Sequence, residues 1–183
     1  MAEKQNALWI FAYGSLMWRP DFPFRERHRA ELFGYHRSLC IQSHLYRGTV
    51  EKPGLVFGLD RGGSCVGVAF LIEPEHVAPT LEAVRLRELV LGVYQEIEAP
   101  VLLSDGRTVT ALAYAADHGH PQYAGQVPFD EVVRIVGERR GASGTNLDYV
   151  RNTQAHLLDL GVDDPTLTAL CAALEPLHEP DHP

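Results

Sequence analysis

Cysteine is scarce in this 183-residue chain. Cys40, Cys65 and Cys171 are its only three, widely spaced and never in a CxxC pair. That excludes a disulfide framework and a cysteine-based zinc site, and it points to a reducing cytosol. Basic runs are equally short: none exceeds Arg139-Arg140, and the formal net charge is −8. Nucleic-acid binders carry a basic face, so this balance argues against that class. A local site can still oppose the global charge, which leaves an anionic small substrate open. No window approaches the roughly 20 apolar residues needed to span a bilayer. The opening "MAEKQNALWIFAYGS" lacks the apolar core and cleavage site of a signal peptide. The expectation is a cytoplasmic protein that binds neither membrane nor nucleic acid. HExxH, GK[ST] and Gly-x-Ser-x-Gly are also missing, and no serine has a histidine–acid pair at a recognisable spacing. Nine histidines include the "DHGH" of Asp117–His120, but without i,i+4 helical spacing or a third ligand they read as solvated loop residues, with no metal.

What is present suffices for a core. Hydrophobic residues make up 45% and charged residues 22%, and with no repeat or Gly/Ser linker the chain reads as one domain over 1–183, its core about 8–175 and a flexible tail at 176–183. Strands are predicted at Leu8–Tyr13, Glu31–Ile41, Leu55–Leu59, Cys65–Ile72, Val93–Leu103 and Thr108–Ala115. "DRGGS" (Asp60–Ser64) and "SDGR" (Ser104–Arg107) read as hairpin turns, the second as type I′. Gly34 and Gly67 inside strands suggest bends, hence a curved sheet. Helices are predicted at Glu75–Leu91, Phe129–Arg140, Leu147–Leu160 and Pro165–Leu174. Gly141 and Gly161 would be C′ residues, and Asp164-Pro165 an N-cap with proline at N1. The fold class is therefore α+β, a small curved or barrel-like mixed sheet with helices.

Two features carry chemistry. In "IFAYGSLMWRP" (Ile10–Pro20) an apolar strand breaks at Gly14-Ser15 and the apolar run resumes at once. A glycine there permits positive φ and close approach of a ligand to the backbone. Successive N–H groups in such a turn form an anion-binding concavity, to which the Ser15 hydroxyl would add a donor. A simple turn explains the same residues. The second feature is Glu88. At about 100° per residue, Val77, Leu81, Val84 and Leu91 make one apolar stripe with Glu88 in its middle. A carboxylate there loses hydration and its pKa rises. Such a group suits general acid–base chemistry near neutral pH. An ion pair with Arg85, at i−3, would equally account for it, whereas Arg87 is expected to point elsewhere.

Taken in order, "YGSLMWRPDF" (13–22), "GYHRSLCI" (34–41), "HLYRGTVEKPGLVFGL" (44–59), "CVGVAFLI" (65–72), "VRLRELVLGVY" (84–94), "ALAYAA" (111–116), "HPQYAG" (120–125) and "GASGTNLDYV" (141–150) resemble the ChaC-type γ-glutamylcyclotransferases. The resemblance covers nearly everything from Trp9 to about Leu160. It implies a compact β-barrel with flanking helices and breakdown of glutathione to 5-oxoproline and cysteinylglycine, without metal or organic cofactor. By position, Tyr13, Gly14, Ser15 and Leu16 match the loop that cradles the γ-glutamyl group. Glu88 matches the catalytic glutamate, and Tyr149 a tyrosine near the substrate. The chain departs from the family pattern at Ala12, Val93 and His120, all outside those positions. Two alternatives remain: a cyclotransferase or amidohydrolase acting on other γ-glutamyl amines with the same loop and carboxylate, and a non-catalytic regulator of a cation transporter, which would have no need of a carboxyl on a core stripe.

Overall fold

The first strand, β1 (Leu8–Ala12), is apolar throughout because it is paired on both edges. It runs antiparallel to β3 (Gly54–Ile72), with Leu8 opposite Ile72 and Ala12 opposite Val68, and parallel to β5 (Thr108–Ala116) at Trp9 and Ile10. Between them the sheet continues through β2 (Glu26–Ser43) and β4 (Tyr94–Leu103), in the order β1-β3-β2-β4-β5, and closes into a barrel. Parallel and antiparallel pairs coexist, so the sheet is mixed as expected. Closure removes free strand edges. Small side chains make it possible: Ala111, Ala113, Ala115 and Ala116 of β5 are all buried. Gly67 has a similar role, since a Cβ there would lie 2.2 Å from the Ala12 carbonyl oxygen.

The computed structural model describes residues 6–175, so the tail predicted at 176–183 lies outside the described residues. The chain divides into two compact units. One comprises residues up to Ser38 and Gly58–His120, which include β1, β4, β5 and α1 (Pro74–Glu88). The other comprises Leu39–Phe57 and the residues from Pro121 on, with α2 (Phe129–Glu138), the short strands β6 (Arg140–Gly141) and β7 (Gly144–Thr145), α3 (Asn146–Asp159) and α4 (Pro165–Leu174). Side-chain caps locate the starts of α3 and α4. Thr145 accepts from the Asp148 N–H at 3.0 Å, and Asp164 from the Leu167 N–H at 3.0 Å with Pro165 at N1. Gly161, at φ +70°, ends α3 as predicted. Asn146, fully buried, exchanges two hydrogen bonds with the Leu55 backbone, accepting at 2.6 Å and donating at 2.7 Å.

Several local expectations are corrected. No hairpin forms at Asp60–Ser64: the two predicted segments are one 19-residue strand, β3, which carries Gly62 and Gly63 at positive φ in its interior. The Ser104–Arg107 turn does join β4 to β5, but only Gly106 has positive φ, so it is not type I′. Gly141 is not a helix terminator. α2 stops at Glu138, Arg139 is already extended, and Gly141 sits in β6, where a Cβ would strike the Leu45 and Tyr46 carbonyls. His118 is exposed, as a solvated loop histidine should be, and its ring nitrogen additionally lies 2.6 Å from the buried Asp60 carboxylate. Finally, α1 ends at Glu88, three residues early, with Leu89 as C-cap and Gly92 at φ +67° closing the turn. Leu91 is consequently exposed and no part of an apolar stripe.

Candidate active site

Past Ala12 the β1–β3 ladder stops, and the chain turns through a single 3₁₀ segment, Ser15–Met17. Gly14 precedes it at φ −130°, so the left-handed conformation allowed for at this position is not used. A Cβ on Gly14 would meet nothing within 4 Å, so the backbone here faces open space. The first N–H bonded inside the turn is that of Met17, which donates to the Gly14 carbonyl at 2.9 Å. The amides of Ser15 and Leu16 therefore have no partner within the turn, as at the start of any such helix. Leu16 and Met17 return to the core, while Trp18 is only half-buried.

Side chains hold this break in place. Arg37 of β2 donates to the Tyr13 carbonyl at 2.8 Å and to the Val66 carbonyl at 2.7 Å, which supplies strand-end bonds beyond the last β1–β3 pair. The Tyr13 ring is buried, and its hydroxyl donates to the Tyr114 carbonyl at 2.8 Å. Tyr13 is thus anchored to β5, and Gly14 to Leu16 project from a fixed strand end.

Glu88, the last residue of α1, reaches the same region. Its side chain is 18% exposed. Burial pushes its carboxyl above the ordinary carboxylate range, and the Arg87 guanidinium at 3.3 Å pulls against that. The negative end of a helix dipole beside it acts in the same direction as burial. The expected Arg85–Glu88 pair does not form. Arg85 instead pairs with Glu96 of β4 through two bonds, at 2.6 and 2.9 Å. Glu96 also accepts from the Tyr114 hydroxyl at 3.0 Å, and burial followed by that bond raises the Tyr114 phenol pKa. Arg87, set aside by helical spacing, is the partner that Glu88 has, and it also donates to the Ser15 hydroxyl oxygen at 2.6 Å. Neighbouring helix residues do not normally face one another. A long side chain at the last turn escapes that rule.

Of the residues singled out in the sequence, the structure brings Tyr13, Gly14, Ser15, Leu16 and Glu88 into one unit, with Ser15 and Glu88 sharing the Arg87 guanidinium. Tyr149 belongs to the other unit. It lies on α3, tilted against Phe57 at 5.6 Å, under the Arg47 guanidinium at 5.3 Å, and its hydroxyl accepts from the Phe57 N–H at 3.0 Å. Sequence reasoning missed Arg37 and Arg87; adjacency to Glu88 was the only available signal for the latter. Among the described residues no group of His, Cys, Asp and Glu is placed to hold a metal ion, and no helix is long and apolar enough to cross a membrane.

A carboxyl with raised pKa that shares one guanidinium with the hydroxyl of a strand-end turn has the chemistry to move a proton near an anion bound at that turn. Comparison with known proteins identifies the family of the chain. The profile of the ChaC-like protein family matches residues 8–176. The glutathione-specific gamma-glutamylcyclotransferase of Escherichia coli (strain K12) is 33% identical over 173 residues, covering 94% of this chain and 75% of that protein. The human glutathione-specific gamma-glutamylcyclotransferase 1 is 37% identical over 149 residues, covering 79% of this chain and 67% of that protein. Among solved structures, the gamma-glutamyl cyclotransferase specific to glutathione from yeast superposes with a TM-score of 0.86 at 22% identity, over 97% of this chain and 100% of that one; that likeness speaks to the fold.

Proposed function

Because this chain belongs to the ChaC-like family, we propose that it is a γ-glutamylcyclotransferase, a lyase that cleaves glutathione to 5-oxoproline and cysteinylglycine, with Glu88 as its general acid–base. The observation that carries the assignment of Glu88 is its half-buried carboxyl, with a raised pKa, tied through one guanidinium to the Ser15 hydroxyl at the end of β1.

The substrate brings its own nucleophile. The α-amine of the γ-glutamyl group attacks the γ-carbonyl, forming the C–N bond of a five-membered lactam and expelling the cysteinyl nitrogen. Closing the ring within one molecule gains several kcal/mol from orientation alone, once the ends are held in register. In water the obstacle is protonation, since an α-amino group titrates near pH ~8. Glu88, ionised, takes a proton from the amine. It then delivers that proton to the departing nitrogen as the γ-amide bond breaks; the attacking nitrogen gives up its second proton to solvent as it becomes the lactam N–H, and Glu88 returns to its starting state. A carboxyl pKa lifted toward neutrality suits both steps. The Ser15 hydroxyl and the amides at 15 and 16 bind a substrate oxyanion, either the α-carboxylate or the γ-carbonyl oxygen as it gains charge. Tyr13, Gly14 and Leu16 shape that cradle. Tyr149 is retained as a substrate residue on the "GTNLDY" pattern. No metal or organic cofactor has a step in this scheme. Three buried cysteines, none in a disulfide, accord with a cytoplasmic setting.

The deciding experiment incubates purified protein with glutathione and follows 5-oxoproline and cysteinylglycine by mass spectrometry. Equimolar appearance of both is expected. Their absence overturns the activity, and comparable turnover of γ-glutamyl amino acids would widen the substrate class.

A further inference from the structure

Arg87 makes more contacts than an ion pair requires. Its Nε faces the Glu88 carboxylate at 3.3 Å, and its Nη2 donates to Ser15 Oγ at 2.6 Å. Nη1 donates to the Arg19 carbonyl at 2.7 Å and to Asp21 Oδ2 at 3.3 Å. Each nitrogen of the guanidinium thus addresses a different piece of chain: the helix end, the 3₁₀ turn, and the loop that follows it.

We propose that Arg87 is the positioning residue of this site: it fixes the Ser15 hydroxyl as a donor toward a bound oxyanion and holds the Glu88 carboxylate beside it. The proposal rests on the roles given above to Glu88 and Ser15. A guanidinium has only hydrogens to offer, so Ser15 Oγ must accept from it. The hydroxyl's own hydrogen is then committed to another acceptor, and a hydroxyl that is otherwise both donor and acceptor becomes a directed donor. Planarity matters as well. Three contacts along separate directions need the rigid fork of arginine, which the single ammonium of lysine cannot reproduce.

The charge has its own effect. The titratable groups facing Glu88 are Arg87 on its own helix and Tyr114 on β5. Tyr114 is bound to Glu96 of β4, which Arg85 neutralises. Arg87 is therefore the cation that opposes the effect of burial on Glu88. Without it the carboxyl ionises at higher pH, and the acidic limb of the activity profile moves up.

The test compares Arg87→Met, Arg87→Lys, Ser15→Ala and the Ser15→Ala/Arg87→Lys double variant in 5-oxoproline formation. Readouts are KM, kcat, the pH profile of kcat/KM, and thermal unfolding. In the methionine variant KM rises, kcat falls and the acidic limb shifts to higher pH. The lysine variant brings the limb back but leaves KM raised. Ser15→Ala raises KM roughly tenfold or more, the weight of one hydrogen bond to a charged group. Adding Arg87→Lys to it then costs little extra, because the two residues act through one hydroxyl. Additive KM effects in that cycle overturn the proposal, as does an acidic limb that stays in place in the methionine variant. Should the methionine variant fail to fold, the lysine cycle decides alone. A wild-type protein without cyclotransferase activity removes the functional reading itself and this proposal with it, an outcome distinct from the other two.

Discussion

Glutamine at position 88 keeps the shape of the glutamate and removes only its charge and its exchangeable proton, which makes Glu88→Gln the sharpest perturbation of the site. A positioned acid–base group contributes about 10²–10⁴ in rate, which corresponds to about 3–5 kcal/mol of barrier at 1.36 kcal/mol per decade. Formation of 5-oxoproline at saturating glutathione is expected to fall by that factor. Folding should survive. Arg87 keeps Ser15 Oγ, the Arg19 carbonyl and Asp21 as acceptors, and it is 31% exposed. Stability should in fact favour the variant near neutral pH. Burial raises the Glu88 pKa in the folded state above its unfolded value, which for a glutamate is about 4.3. Below that value the carboxyl is protonated in both states and the two proteins should unfold alike. As pH climbs through the raised folded value, the wild-type protein must bury a charge and loses stability, whereas the glutamine variant does not. Each kcal/mol of difference amounts to about 2–4 °C in a chain of this size. Melting curves from pH 4 to 8, run beside the product assay, measure both effects. Retention of more than about a tenth of the activity, set against the hundredfold minimum expected of a general base, would refute the catalytic role. A melting temperature well below wild type at pH 7 would show that the carboxylate serves as a structural ion-pair partner instead.

Other perturbations test neighbouring links. Ser15→Ala should raise KM for glutathione by roughly tenfold or more while sparing the fold, since one bond to a charged group contributes about 1.5–3 kcal/mol; an unchanged KM would remove Ser15 from the cradle. Gly67→Ala drives a methyl against the Ala12 carbonyl, so β1 must shift beside Tyr13 and Gly14. A loss of about 1–3 kcal/mol together with lower kcat/KM is expected, from denaturation curves and steady-state rates. Asn146→Leu leaves the Leu55 N–H and carbonyl without their partner inside the second unit. At about 1–3 kcal/mol for each buried unsatisfied group, the midpoint of urea unfolding should drop markedly. Tyr149→Phe withdraws the acceptor from the Phe57 N–H but keeps the ring against Arg47. A stability cost of about 1 kcal/mol with a raised KM fits the substrate role, and a stability cost with unaltered kinetics would make that hydroxyl purely structural.

Local signals in the chain were sound where one turn or cap decides the outcome by itself. Asp164-Pro165 starts α4, Gly161 ends α3, and Ser104–Arg107 turns β4 into β5, because each depends on bonds between residues a few positions apart. They misled where distant pairing competes. Two adjacent glycines in "DRGGS" look like a hairpin tip, but β3 runs straight through them as part of a closed sheet. Gly141 has the position of a helix terminator, yet its lack of a Cβ serves close packing against the Leu45 and Tyr46 carbonyls. The same division runs through the site. An apolar strand interrupted at Gly14-Ser15 and a glutamate out of keeping with its neighbours are visible in one dimension.

Composition and local pattern alone determined an α+β chain with a mixed, curved sheet, and they marked Tyr13 to Leu16 and Glu88 as the residues to watch. Tertiary structure decided where α1 stops and which arginine meets which carboxylate. It turned Arg85 to Glu96 and Arg87 to Glu88 and Ser15. The reason is one of reach. Helical spacing prescribes the direction in which a side chain leaves the backbone, but an arginine at a helix end extends far enough for its partners to be chosen by the strands packed against it. Those strands are set by barrel closure, which joins residues about a hundred positions apart, such as Tyr13 and Tyr114.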